Sequence, residues 1–199
     1  YLDITKDRLY TCKKDSHARK SCQTALEEIL NILVRLIAPI LSYTAEEIWQ
    51  SAPNLKCQNK SIFLTEFTNQ KSAIISEISD SDWKRIFSIK EEVNQKIENL
   101  RNENKLKGSL DAIVKIRANE DDKKILDKLE EELHFLLISS DAHTELSNDI
   151  LIEIEISKNQ KCVRCWHRKN SVGKNKSYED LCIRCVENIE EAGENRRFV

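Results

Sequence analysis

The sequence predicts a mainly α protein in three parts: a helical bundle, a small α+β unit and a cysteine knuckle. Three observations predict it. Apolar residues recur at three or four positions through Ala18, Cys22, Ala25, Ile29, Leu33, Leu36 and Ile40, which is the period of one helix face. The period falls to two at Ala112, Val114 and Ile116, and again at Ile150, Ile152, Ile154 and Ile156, as strands require. Two Cys-x-x-Cys pairs then follow. The boundaries expected are residues 1–108 for the bundle, 109–157 for the α+β unit and 158–199 for the knuckle.

In the bundle, Tyr1 to Tyr10 alternates apolar and charged residues and runs into Asp15 or Ser16, either of which can cap a helix. Leu26, Leu30, Ile32, Val34 and Ile37 widen the apolar face of the helix that follows, so it is expected at the centre of the bundle. Pro39 should end or kink it. Thr44-Ala-Glu-Glu47 has the form of a capping box, which places a short helix through Trp49, a core residue. Pro53 to Lys60 reads as a loop. Ser61 to Thr68 reads as a brief extended segment packing Ile62, Leu64 and Phe67. Asn69 to Ser81 is polar and reads as loop with a helical turn. Asp80 to Asp82 offers a cap for a long helix through Trp83, Phe87, Val93, Ile97 and Leu100, and Gly108 is its expected stop.

Beyond Gly108, a strand over Ala112–Arg117, a helix from Asp121 to about Leu133 and a strand over Ile150–Ile156 make a β-α-β-like unit. Phe135 to Ile138 fits a helix end or a strand. Glu120 to Glu155 carries twelve acids against three lysines, which argues against nucleic acid on that face.

The knuckle pairs Cys162-Val-Arg-Cys165-Trp166-His167 with Cys182-Ile-Arg-Cys185. A two-residue spacer brings two sulfurs within reach of one metal, and four soft sulfurs in a tetrahedron suit Zn²⁺. Two disulfides or an iron–sulfur cluster are the alternatives. Four cysteines fill the coordination shell, so such a zinc is structural. Between Lys158 and Lys176 lie Lys158, Lys161, Arg164, Arg168, Lys169, Lys174 and Lys176 with no Asp or Glu among them. A stapled basic loop with an aromatic suits nucleic acid, since cations meet phosphates and aromatics stack on unpaired bases. A solvated loop with Trp166 packed over the zinc is the other reading.

Net charge is −2 over 199 residues, so any contact with RNA must be local. Seven cysteines leave Cys12, Cys22 and Cys57 outside the knuckle. An odd number at unrelated spacings argues for idle or buried thiols in a reducing, cytoplasmic setting. The chain lacks Met and is expected to be part of a longer protein. No signal peptide or membrane-spanning apolar run is present, because Asn31, Arg35 and Pro39 break the longest apolar stretch. Gly108, Gly173 and Gly193 stand alone, so no phosphate-cradling loop is expected, and no catalytic constellation is visible. Lys13, Lys14, Arg19 and Lys20 gather at a helix start, where solvated charges are the rule.

Tyr1-Leu-Asp-Ile-Thr-Lys-Asp-Arg-Leu-Tyr10 resembles the opening of the anticodon-binding domain of isoleucyl-tRNA synthetases. Arg19 to Leu26, Leu36-Ile-Ala-Pro through Trp49, and Ser61 to Glu66 continue the resemblance. The Cys-Trp-His knuckle, Val172-Gly173, Cys182 to Cys185 and the tail Gly193-Glu-x-x-Arg-Phe198 complete it. Lys107-Gly-Ser-Leu-Asp-Ala112 is one residue shorter than the family's usual run. The resemblance implies a parent that joins isoleucine to tRNA(Ile) using ATP. This segment would bind the anticodon stem-loop beside the rest of the synthetase chain, contribute no chemistry, and touch neither DNA nor membrane. It makes Lys13, Arg19, Lys20, Arg164, Arg168, Lys169 and Lys174 candidate tRNA contacts, with Trp166 stacking on an anticodon base. The competing expectation is a helical scaffold whose zinc knuckle docks a protein.

Overall fold

The computed structural model describes residues 1–52, 60–67 and 77–199. Cys57, most of the Pro53–Lys60 loop and most of the Asn69–Ser81 stretch fall outside them. Helices predominate, with a small three-stranded sheet and the cysteine cluster. The chain forms two compact units, Tyr1–Arg19 with Ser76–Val199, and Lys20–Ile75.

The smaller unit holds most of α2 (His17–Ile37) and α3 (Ser42–Ser51). The Ser16 hydroxyl accepts from the Arg19 amide, so Ser16 is the cap that opens α2. Trp49 is 1 % exposed and packs with Val34, Ala38, Ala45 and Ile62; the Arg35 guanidinium lies 5.2 Å from its ring centre. Three expectations fail here. Helix α3 begins at Ser42, so Thr44 lies inside it and caps nothing. The segment after Ser61 is a 3-10 turn, Ile62–Leu64, which buries Ile62 and leaves Leu64 and Phe67 in solvent. The wide apolar face of α2 is not at the centre of a packed bundle: Ile29, Leu33, Leu36 and Ile40 are all exposed among the described residues. Its buried positions are Ala18, Cys22, Val34 and Arg35, a narrower stripe than hydropathy suggests.

The larger unit opens with α1 (Leu2–Thr11) and resumes at α4 (Asp80–Asn102). Ser79 caps α4 by accepting from the Asp82 amide. Ile86, Ile89, Val93 and Ile97 turn inward, whereas Phe87 is largely exposed. Gly108 does not stop this helix. Asn104 takes the left-handed position at φ +57°, and the Lys105 and Leu106 amides both turn back to the Leu100 carbonyl. Asn tolerates this geometry; Gly108 is extended.

Strand β1 (Ala112–Ala118) is central in a sheet ordered β2-β1-β3. It runs antiparallel to β3 (Leu151–Ile156), with Val114 opposite Ile154. It runs parallel to β2 (Asp141–Leu146), with Val114 opposite Ala142, and this strand is absent from the sequence reading. Helix α5 (Glu120–Asp127), a 3-10 turn and α6 (Leu133–Leu137) form the crossover, in place of one helix from Asp121 to Leu133. Ile138 ends α6 at φ +54°. Ala112, Val114, Ile116 and Ala118 face the core with α4 to α6. On the other face Lys115 and Arg117 pair with Glu155, Glu145 and Glu153, three of the acids of the acidic stretch. Helix α7 (Ile183–Glu190) closes the chain. No described helix is long and apolar enough to cross a membrane.

Candidate metal centre and nucleic-acid interface

Backbone hydrogen bonds build the knuckle. The Trp166 amide donates to the Cys162 carbonyl at 2.9 Å, closing the first Cys-x-x-Cys turn, and the Cys162 amide donates to the His167 carbonyl. Lys161 and Arg168 form an antiparallel bridge across it. In the second pair Cys182 precedes α7 and Cys185 sits in its first turn. The four sulfurs are buried and lie within 4.8 Å of one another. The Cys182 amide donates to the Cys162 sulfur at 3.4 Å, the orientation that favours a thiolate.

This donor set fits zinc and nothing in it fits a disulfide pair at rest. Cys165 and Cys182 sulfurs stand 3.8 Å apart, far beyond the ~2.05 Å of an S–S bond. Contacts with Cys162, Cys182 and Cys185 pull the Cys165 thiol well down, while contacts with Cys162 and Cys165 push the Cys182 and Cys185 thiols well up. Four crowded sulfurs cannot all ionise unaided, and a dication removes that conflict. His167 is outside the set. Its ring nitrogen lies 3.1 Å from the Cys165 carbonyl and 3.9 Å from Asp7.

Trp166 has φ +66°. A left-handed backbone costs a side-chain-bearing residue roughly 1–2 kcal/mol, and such outliers cluster at functional sites. Packing does not offset that cost, because the residue is 60 % exposed. The apolar side chains against the four cysteines are Val172 and Leu181. Trp166 instead walls a cavity of about 440 Å³, within the ~300–1,000 Å³ of small-ligand clefts. Phe135, Cys165 and His167 also line it, as do Asp3, Lys6, Asp7 and Tyr10 of α1. Arg164 stands at this cavity, and Lys161 Nζ lies 5.5 Å from the Trp166 ring centre.

The candidate cations are dispersed in role. Arg164 donates to the Thr11 carbonyl at 2.6 Å. Arg168 pairs with Asp111 at 2.5 Å and reaches the Asn159 carbonyl, so it pins the knuckle to the sheet unit. Lys169 is 3.8 Å from Asp141. Lys13 donates to the Glu191 carbonyl at 2.6 Å. Lys174 is exposed on the loop between the knuckles. Arg19 ends the larger unit and Lys20 begins the smaller.

Sequence reasoning missed the ion cluster that joins α1 to the knuckle. Both Asp7 oxygens accept from Arg184, at 2.8 and 2.9 Å, and one also accepts from Arg196 at 2.6 Å. Burial pushes the Asp7 carboxyl up, but Arg184, Arg196 and His167 together hold it well below the usual carboxylate range. Glu194 accepts from Arg184 and Asn188. Arg184 and Arg196 lie 4.9 and 3.6 Å from the Phe135 ring centre. Glu132 accepts the last three backbone amides, Arg197 to Val199, and so ties down the tail. Nothing in spacing links residue 7 to residue 184. The one local signal is an arginine placed between two ligand cysteines.

Two family models match the chain. One, described as the anticodon-binding domain of tRNA ligase, matches residues 1–116. The other, a zinc finger found in FPG and IleRS, matches residues 159–188. The chain is 48 % identical over 213 aligned positions to the isoleucine--tRNA ligase of Francisella philomiragia, and 46 % identical to that of Francisella tularensis subsp. novicida. Each alignment covers 100 % of this chain and 23 % of the relative, so the chain spans under a quarter of the length of these curated relatives.

Proposed function

We propose that this chain, which belongs to the family of anticodon-binding domains of tRNA ligases, is the tRNA-binding part of an isoleucine--tRNA ligase. The whole enzyme would join isoleucine to tRNA(Ile) with ATP; this segment would engage the anticodon stem-loop and do no bond chemistry. Cys162, Cys165, Cys182 and Cys185 hold one structural zinc, whose chemistry is to organise four thiolates.

One observation carries the reading: both matched regions contribute residues to the lining of one cavity. Helix α1 belongs to the anticodon-domain match and Trp166 to the zinc-finger match. An exposed ring held by the knuckle's backbone loses little entropy when a base stacks on it. Such stacking is worth ~1–3 kcal/mol per base. Lys174 and Arg19 would meet phosphates, and Lys13 and Lys20 are further candidate contacts, while Arg164, Arg168 and Lys169 would serve the RNA chiefly by holding the knuckle that presents Trp166. A scaffold that only docks protein is not favoured by a match to tRNA-ligase domains over residues 1–116.

The test is binding of this chain to tRNA with the isoleucine anticodon, to a tRNA with another anticodon and to duplex DNA, across a salt series. Preference for the first, with affinity falling as salt rises, is expected. Equal binding to all three would refute anticodon recognition.

A further inference from the structure

Arg184 lies between two of the cysteines, Cys182 and Cys185, in the first turn of α7. Its guanidinium leaves the knuckle and grips Asp7 on α1 with both arms. The surrounding charges balance: Asp7 and Glu194 against Arg184 and Arg196. Neither acid is a member of the four-sulfur set. Asp7 also lines the cavity walled by Trp166, together with Asp3, Lys6 and Tyr10 of the same helix. The forked ion pair therefore joins the second Cys-x-x-Cys turn to α1, alongside the hydrogen bond from Arg164 of the first turn to the Thr11 carbonyl.

We infer that the Asp7–Arg184 pair is a positioning link, through which metal capture at the cysteines fixes α1 and hence the residues that α1 contributes to the cavity lining. Ligation on both sides of Arg184 fixes its backbone. The forked geometry then fixes the rotation of α1, because a carboxylate can satisfy two parallel N–H donors in one orientation. Without the metal, α7 loses its anchored first turn, and Asp7 keeps Arg196 and the nearby His167 ring. Coupling of this kind is reciprocal: if zinc orders α1, the docking of α1 must tighten zinc, although Asp7 touches no sulfur.

The experiment measures zinc affinity by competition with a chromophoric chelator, and amide exchange along the chain by mass spectrometry. Asp7→Asn should weaken zinc by about tenfold, within the 5–150-fold typical of site coupling. It should also speed exchange in α1 while β1 stays protected. Asp7→Glu should recover part of both effects. Removing zinc from the unaltered chain should speed exchange in α1 in the same way. Zinc affinity unchanged by Asp7→Asn would overturn the link, as would α1 protection that ignores chelation. Loss of protection in β1 together with α1 would also overturn it, since the pair would then be a general brace. If Asp7→Asn does not fold, Arg184→Lys keeps the charge, removes the fork and carries the same expectations. The inference rests on zinc ligation by the four cysteines. A chain that takes up no zinc contradicts that ligation, whereas zinc uptake indifferent to the Asp7 carboxylate contradicts the link alone.

Discussion

The knuckle and the Lys20–Ile75 unit solve the same problem, too few apolar side chains, in opposite ways. Around the four cysteines the packed apolar neighbours are Val172 and Leu181. Order there comes from sulfur convergence, backbone turns and the Asp7–Arg184–Arg196–Glu194 cluster. Among the described residues, the Lys20–Ile75 unit buries Trp49 with four small or medium partners, while Ile29, Leu33, Leu36 and Ile40 stand in solvent. Small modules need staples where cores cannot suffice. A staple fixes geometry as well as stability, which lets the knuckle keep a large ring such as Trp166 out of its own core. The smaller unit has no such latitude, and its one tryptophan is fully buried.

The comparison breaks most sharply on metal removal. Cys182→Ser, or chelation, should release zinc and strip exchange protection from residues 158–199. Structural zinc contributes ~10–16 kcal/mol in zinc-finger peptides. Helix α3 should keep its protection, measured on the same sample. The converse is Trp49→Ala, expected to cost ~3–5 kcal/mol. It should expose α3 amides and lower the urea midpoint of that unit, with zinc content still one per chain.

Within the knuckle, Arg168→Ala removes a partly buried pair to Asp111 and a bond to Asn159. A cost of ~1–3 kcal/mol is expected, seen as faster zinc release at unchanged α3 protection. Lys174→Ala should be the mildest. Its side chain is exposed, so thermal stability should move by less than ~0.5 kcal/mol. The salt-dependence slope of tRNA binding should fall by about 0.7, the single-strand value per phosphate contact, read from binding isotherms at several salt concentrations.

How much was legible followed how local each cause is. The cysteine cluster was, because both ligand spacings lie within a few residues. Strands β1 and β3 were, because Ala112–Ile116 and Ile152–Ile154 alternate cleanly. Strand β2 was not: Asp-Ala-His-Thr-Glu-Leu has one half-buried apolar position, Ala142, beneath an edge that pairs on one side alone. The expected stop at Gly108 failed because Asn104 reaches the left-handed region first. The breadth of α2's apolar face is real in the sequence, yet burial selects Val34 over Leu33 and Leu36. Trp166 could not be assigned to a packed or a free role by its neighbours in the chain. The structure adds a positive φ and a ring left 60 % exposed, on a turn closed through Cys162.

The claim that the knuckle spends its rigidity on holding a free ring for RNA is tested most directly at Trp166. Trp166→Asn suits the left-handed backbone and removes the ring. Affinity for tRNA with the isoleucine anticodon and zinc content are measured on one preparation. Binding weaker by about tenfold to a hundredfold, from the ~1–3 kcal/mol of a stacked base, with zinc still one per chain, is the expected result. Unchanged affinity with zinc intact would contradict it.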